Sequence, residues 1–217
     1  MRIFIVAAIA VLGFSSCAMA APVYLNQDNI SVEVGDGTSN GSFNNTFSGG
    51  QTINKVIDAP SADAEEFHNQ TTHIWFTANE IGGGLELKFD FGLEYDLTTL
   101  HFWNYTSESF DVDQADFTFF NRFNEEVGSL TIFPDLGTSP GITAQDYVFG
   151  APLNVQFVTA FLSGSNRQVD FQNIGFTAEV SPVQTPDPTT PVPAPAPLSL
   201  LALGMAAFFG SRKLSAR

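Results

Sequence analysis

Cations are scarce in this 217-residue chain: 8 Lys+Arg stand against 23 Asp+Glu, a formal −15 at pH 7. Nucleic acid is a poor partner for such a balance, because phosphates need Lys and Arg to neutralise them. The shortage is sharpest over residues 21–180, where Lys55, Lys88, Arg122 and Arg167 face 22 acids, a formal −18. Cysteine is limited to Cys17, so no disulfide can form within the chain. One Cys and three His also exclude a Cys/His zinc cluster. H-E-x-x-H and P-loop patterns are missing, and with them the usual signs of a zinc hydrolase or a nucleotide enzyme. Met and Lys are few, whereas Phe accounts for 22 residues. That bias favours strands over helices. At 44% hydrophobic residues the chain has enough apolar side chains for a real core.

The two ends read as addresses. Met1-Arg2 is a short basic start, Ile3–Phe14 is apolar, and Ala18-Met19-Ala20 is an A-x-A site. Residues 1–20 are therefore expected to be a secretory signal peptide, cut by signal peptidase before Ala21. The apolar run is shorter than the ~20 residues that span a bilayer, which argues against a permanent anchor. Cys17 opens a lipoprotein alternative, but Phe14 stands where a lipobox usually has Leu. At the other end, residues 181–197 contain seven prolines. Such density favours polyproline II, so this segment is expected to be a semi-rigid stalk. An apolar run broken only by Ser199 follows at 198–210, then Arg212, Lys213 and Arg217. A short transmembrane helix ahead of basic residues should halt in the inner membrane with Arg212 and Lys213 on the cytoplasmic side.

Between the ends lies a domain of about 160 residues at 21–180. Leu85, Leu87, Phe89 and Phe91 alternate with Glu86, Lys88 and Asp90, the period of a half-buried strand. Further strands are expected at Asn29–Val34, Thr52–Ile57, His73–Thr77, Leu97–Tyr105, Asp116–Phe123, Val127–Phe133, Val155–Leu162 and Val169–Val180. Gly/Asp/Asn/Ser stretches separate many of them. Only Ser61–Asn69 suits a helical turn. This pattern predicts an all-β fold, an antiparallel sandwich.

Candidate chemistry is sparse. Acids are so numerous that some pair will lie close by chance, and a solvated acidic surface explains them better than catalysis; no enzyme is expected. Asp111-Val112-Asp113-Gln114-Ala115-Asp116 is a D-x-D-x-x-D run. Clustered carboxylates suit calcium, so Asp111 and Asp113 are metal candidates, although the run lacks the Gly and distal Glu of an EF-hand loop. His101, Trp103 and Tyr105 share one face of their strand; Leu100, Phe102 and Asn104 share the other. One face must be core, and Trp103 is expected there. Sugar sites use an aromatic face against the C–H surface of the ring and polar side chains for its hydroxyls. Trp75, after a polar loop, and Asn104 with Tyr105, at a strand end beside a Ser/Thr-rich loop, are the ligand-binding candidates.

Two resemblances extend this reading. Val192-Pro193-Ala194-Pro195, the apolar helix and the basic tail, in that order, resemble the PEP-CTERM sorting signal of Gram-negative bacteria over about residues 191–215. Ala194 stands where the family pattern has Glu. The resemblance implies recognition by exosortase, removal of the helix, and display in an exopolysaccharide or biofilm matrix or on the cell surface. The domain resembles the discoidin or coagulation-factor type C family, a galactose-binding-like jelly roll. The matching pieces are Lys55-Val56-Ile57-Asp58, Thr72-His73-Ile74-Trp75, Leu85–Gly92, Leu97–Tyr105, Asp116–Phe120, Asn154–Leu162 and Asn173–Glu179. They span about residues 52–180, with Ala59 in place of a family Gly. This implies a non-catalytic carbohydrate-binding or adhesion module, with polysaccharide as its partner. It also implies a structural calcium in the loop after the first matched strand, near Asp58 and Asp63. A structural matrix protein without a discrete ligand site is the alternative.

Overall fold

The computed structural model describes residues 21–47, 50–67 and 73–181. Among the described residues nine strands form the all-β fold: β1 (Val23–Leu25), β2 (Ser31–Val34), β3 (Gly41–Phe43), β4 (Ile74–Ala78), β5 (Gly84–Asn104), β6 (Gln114–Phe120), β7 (Glu126–Ile132), β8 (Gln145–Ser163) and β9 (Gln168–Val180). Every strand pairing is antiparallel. The expected signal peptide at 1–20, Cys17, the stalk from residue 182, Val192–Pro195, the apolar run at 198–210, Arg212 and Lys213 lie outside the described residues. Among the described residues no helix is long and apolar enough to cross a membrane.

Strands β5 and β8 run through both layers of the sandwich. Their ladder joins Gly84–Asp90 to Phe157–Ser163, breaks register, and resumes from Tyr95 to Phe102 against Gln145–Val155. One layer holds β2, the first half of β5, the last part of β8, β6 and β7. The other holds β3, β4, β9, β1 and the second half of β5 with the start of β8. The register break explains why Leu85–Phe91 and Leu97–Tyr105, expected as two strands, are one. Gly92 sits at φ +69° and its N–H donates to Asp90 Oδ1 at 2.7 Å. A side chain is disfavoured at that φ, so glycine lets the strand bend without ending.

The expected alternation holds in the first half of β5: Leu85, Leu87, Phe89 and Phe91 are buried, at 2% exposure or less. They meet Phe102, Phe117, Phe119, Phe171 and Phe176 in the central core. Phe89 and Phe176 pack edge to face with centroids 5.6 Å apart. Much of the phenylalanine excess therefore lies between the layers, where aromatic side chains contribute the most buried area.

Thr52–Ile57 is a correction. It is not a strand but a short 3-10 helix, η1 (Ile53–Ile57). Ile53, Val56 and Ile57 fall at helical spacing and pack on the central core, which a flat strand would not allow. Lys55 is buried on the same turn, its Nζ donating to the carbonyls of His73 at 2.8 Å and Thr46 at 3.0 Å. The other expected strands exist with shifted ends, and β8 starts ten residues before Val155.

The second half of β5 is covered on both faces. Leu100 and Phe102 enter the central core, while Trp103 lies under the segment that includes Ala59 and Ala64, and His101, buried beside it, meets Asp146 and Thr177. Trp103 is fully buried with Ala59 and Ile142, and its Nε1 donates to the Ala64 carbonyl at 2.9 Å. Trp103→Ala should therefore destabilise the protein by about 3–5 kcal/mol in chemical denaturation; a loss below about 1 kcal/mol would show that this second core carries little of the stability.

Candidate functional site

The start of β4, the start of β9, the end of β5 and the loop 105–113 come together at one end of the sandwich. The loop turns tightly, with the N–H groups of Phe110 and Asp111 both donating to the Ser107 carbonyl, at 2.9 and 3.2 Å. It then runs beside β9 through a parallel bridge between Asp111 and Asp170. This packs Phe110, 37% exposed, in T-shaped contact with Trp75 and with Tyr105, at 5.8 and 6.3 Å between ring centroids. Trp75 and Tyr105, candidates from different parts of the sequence, thus join one cluster through Phe110.

The rings stand on a polar base. Trp75 Nε1 donates to Gln168 Oε1 at 2.7 Å, as does Thr77 Oγ1. Thr46 Oγ1 accepts the Trp75 N–H at 2.8 Å. Below lies His73, whose Nδ1 is 2.7 Å from Asp170 Oδ1, with both side chains 2–3% exposed. Burial pushes Asp170 up to about 6, while the hydrogen bond from His73 acts in the opposite direction. The same burial lowers Lys55. A His–Asp pair is two of the three members of a catalytic triad, but here both side chains are buried and the pair ties the entry to β4 onto β9 beneath the rings.

Asn104 plays a part the sequence did not indicate. Its Nδ2 donates to the carbonyls of Val112 at 3.0 Å and Asp135 at 3.2 Å, and its Oδ1 accepts the N–H groups of Tyr105 at 2.9 Å and Val112 at 3.1 Å. Its amide is committed to holding the 105–113 loop on β5, so it supports the ring cluster rather than facing a ligand. Asp111, within the same loop, is buried. Desolvation, then the neighbouring Asp113 and Glu108, push it up to about 6. Asp113 Oδ2 accepts the Ser165 N–H.

The metal candidates do not converge. Asp58 Oδ1 accepts from Asn173 Nδ2 at 2.9 Å, Asp63 is exposed, and Asp111 and Asp113 belong to the loop at 105–113. Among the described residues no three His, Cys, Asp or Glu side chains are grouped to hold a metal ion. The Ala59 N–H donates to Asn173 Oδ1 at 3.0 Å, so Ala occupies this turn without difficulty. Glu66 lies nearby and is pushed up to about 7, by desolvation first and by Asp58 second.

Phe110, Gln168 and Asp170 are the site residues that sequence reasoning missed. Phe110 adjoins the D-x-D run, the one local signal that marked this loop. Gln168 and Asp170 lie in a strand whose pattern spoke only of pairing.

No known family profile matches the chain, and no curated protein matches it. It is similar to solved structures at low identity. The F5/8 type C domain of a Bacteroides fragilis protein shares 10% identity at a TM-score of 0.47, covering 74% of this chain and 98% of that one. The family 32 CBM from C. perfringens NanJ, solved in complex with galactose, shares 10% at 0.44, covering 72% and 99%. A fucose binding module from Streptococcus pneumoniae shares 13% at 0.43, covering 67% and 91%.

Glu66 and Asp111 make stability depend on pH. An acid whose folded pKa is raised holds its proton more tightly in the folded state, so stability is lost as pH rises towards that pKa. Here the loss falls between the ordinary carboxylate range and about 6–7. Thermal unfolding should give a lower Tm at about pH 8 than at about pH 5.5, and Glu66→Gln should reduce the difference. A Tm that climbs across this interval would show that neither carboxylate resists ionisation when folded.

Proposed function

We propose that the protein is a non-catalytic carbohydrate-binding module acting outside the cell, with Trp75, Tyr105 and Phe110 as its sugar platform. The observation that carries this reading is the ring cluster itself. Three aromatic side chains, Trp75 from β4 with Tyr105 and Phe110 from the loop after β5, meet at one sandwich end, on a base of hydrogen bonds that holds Trp75 in place. Rings fixed in this way lose little side-chain freedom when a ligand arrives, which favours binding. The hydrophobic face of a hexose packs on such rings. Loops on a rigid scaffold are where recognition residues concentrate, and Ser107–Phe110 is such a loop.

Export and sorting complete the proposal. The Ala18-Met19-Ala20 site, the proline-rich stalk, Val192-Pro193-Ala194-Pro195 and the tail with Arg212 and Lys213 support secretion, passage through the inner membrane and processing by exosortase. The mature protein would then stand on the surface or in the matrix of a Gram-negative bacterium. Mass spectrometry of the extracellular form should find no peptide before about residue 21 or beyond about residue 195. Recovery of Arg217 in that form would overturn the sorting reading.

Binding is tested at the rings. On a glycan array the protein should retain a defined set of sugars, and Trp75→Ala should abolish that retention while costing about 1–2 kcal/mol of stability, because Trp75 is half-buried and makes one side-chain hydrogen bond. Sugar retention that survives Trp75→Ala and Phe110→Ala would remove the cluster as the site. No retention of any glycan by the wild type would favour a structural matrix protein without a discrete ligand.

A further inference from the structure

The outer face of the other layer carries a concave site of its own. Pairing across β5, β8 and β6 aligns Asp90 with Phe157 and Phe157 with Phe120, and the next row aligns Glu33 with Lys88 and Lys88 with Thr159. Asn124, at φ +61° in the turn after β6, closes one end. These residues line a groove of about 540 Å³, within the roughly 300–1,000 Å³ of small-molecule sites. Its rings and polar groups are not used internally as those of the loop end are. Phe120 and Phe157 are half-exposed, and Glu33, Asn124 and Thr159 make no side-chain hydrogen bond or ion pair among the described residues.

The charge of the groove selects what can enter. Lys88 Nζ lies 3.7 Å from Asp36 and 3.9 Å from Glu86, so its charge is already balanced. Arg122, in the β6–β7 turn, lies 3.9 Å from Glu94. Glu33 and Asp90 are exposed and have no such cation, and Asp90 Oδ1 only accepts the Gly92 N–H. Rings flanked by hydroxyl-binding side chains suit a sugar, and unbalanced carboxylates repel uronates and other anionic sugars. We propose that this groove binds a hexosamine polysaccharide with free amino groups. The rings pack against the sugar C–H faces, Thr159 and Asn124 bond its hydroxyls, and Glu33 and Asp90 pair with its ammonium groups. The site lies on the layer opposite the ring cluster and does not depend on the function assigned to that cluster.

The test is calorimetric titration of the full chain with a β-linked glucosamine oligomer, its fully N-acetylated counterpart and a polyuronate oligomer. The glucosamine oligomer should bind, about tenfold or more tighter than the N-acetylated one, with an affinity that falls as salt rises. Glu33→Gln and Phe157→Ala should each weaken it about tenfold, while Trp75→Ala should leave it unchanged. Thermal melts of each variant establish that the fold is kept, and Asp90→Asn provides a second charge variant if Phe157→Ala unfolds. No binding of the glucosamine oligomer, equal binding of the polyuronate, or loss of binding in Trp75→Ala but not in Glu33→Gln would overturn the proposal. So would a lysine-rich peptide of equal charge that binds as tightly, since the groove would then read charge and not sugar.

Discussion

Burial of both faces of β5 between Leu97 and Asn104 shapes the rest of the molecule. Leu100 and Phe102 point into the central core, and Trp103 fills a second one with Ala59 and Ile142. A strand covered twice needs something to cover it, and the chain supplies η1, the segment to Glu66 and the loop after β5. Those segments bring polar groups, because irregular backbone cannot pair all its donors and acceptors with itself. The result is a layer of buried polar contacts over β9: Lys55 on two carbonyls, Asn173 between Asp58 and Ala59, and His73 against Asp170.

This polar layer explains where the acidic excess becomes costly and where it does not. Most of the carboxylates are on the surface and are well hydrated. Asp111, Asp170 and Glu66 are raised because covering β5 and β9 also took them from water. His73 and Asn104 lessen that cost for Asp170 and Asp111. The same groups hold the strand ends on which Trp75 and Tyr105 stand, so the rigidity of the candidate site and the burial of its acids have one origin.

The two candidate sites differ in how far their polar groups are already engaged. At the loop end Asn104, Gln168 and Asp170 are tied into the fold, which leaves the rings as the surface a ligand would meet. On the face of β2, β5, β8 and β6, Glu33, Asn124 and Thr159 remain open to water. An acidic domain with two aromatic faces would engage uncharged or amino-bearing sugars more readily than anionic ones, because its field acts over a Debye length of roughly 8 Å in physiological salt.

The strand content was legible in the residues themselves. The alternation from Leu85 to Phe91, the Phe excess and the turn clusters are local signals, and each corresponds to a strand or connection in the sandwich. Local pattern also placed Trp103 in a core. It misjudged Thr52–Ile57, because apolar residues in so short a run suit either a strand or a helical turn until something packs on them. It could not foresee that Leu97–Asn104 would be covered on both faces, since an alternating strand looks the same whether its polar side meets water or another segment. Asn104 was read as a ligand group for the same reason: an amide at a strand end carries no mark of the carbonyls that the loop will bring to it. The meeting of Trp75, Tyr105 and Phe110 was decided only by the tertiary structure, because contacts between β4, β5 and the loop follow from strand pairing with β9. No spacing along the chain encodes that pairing.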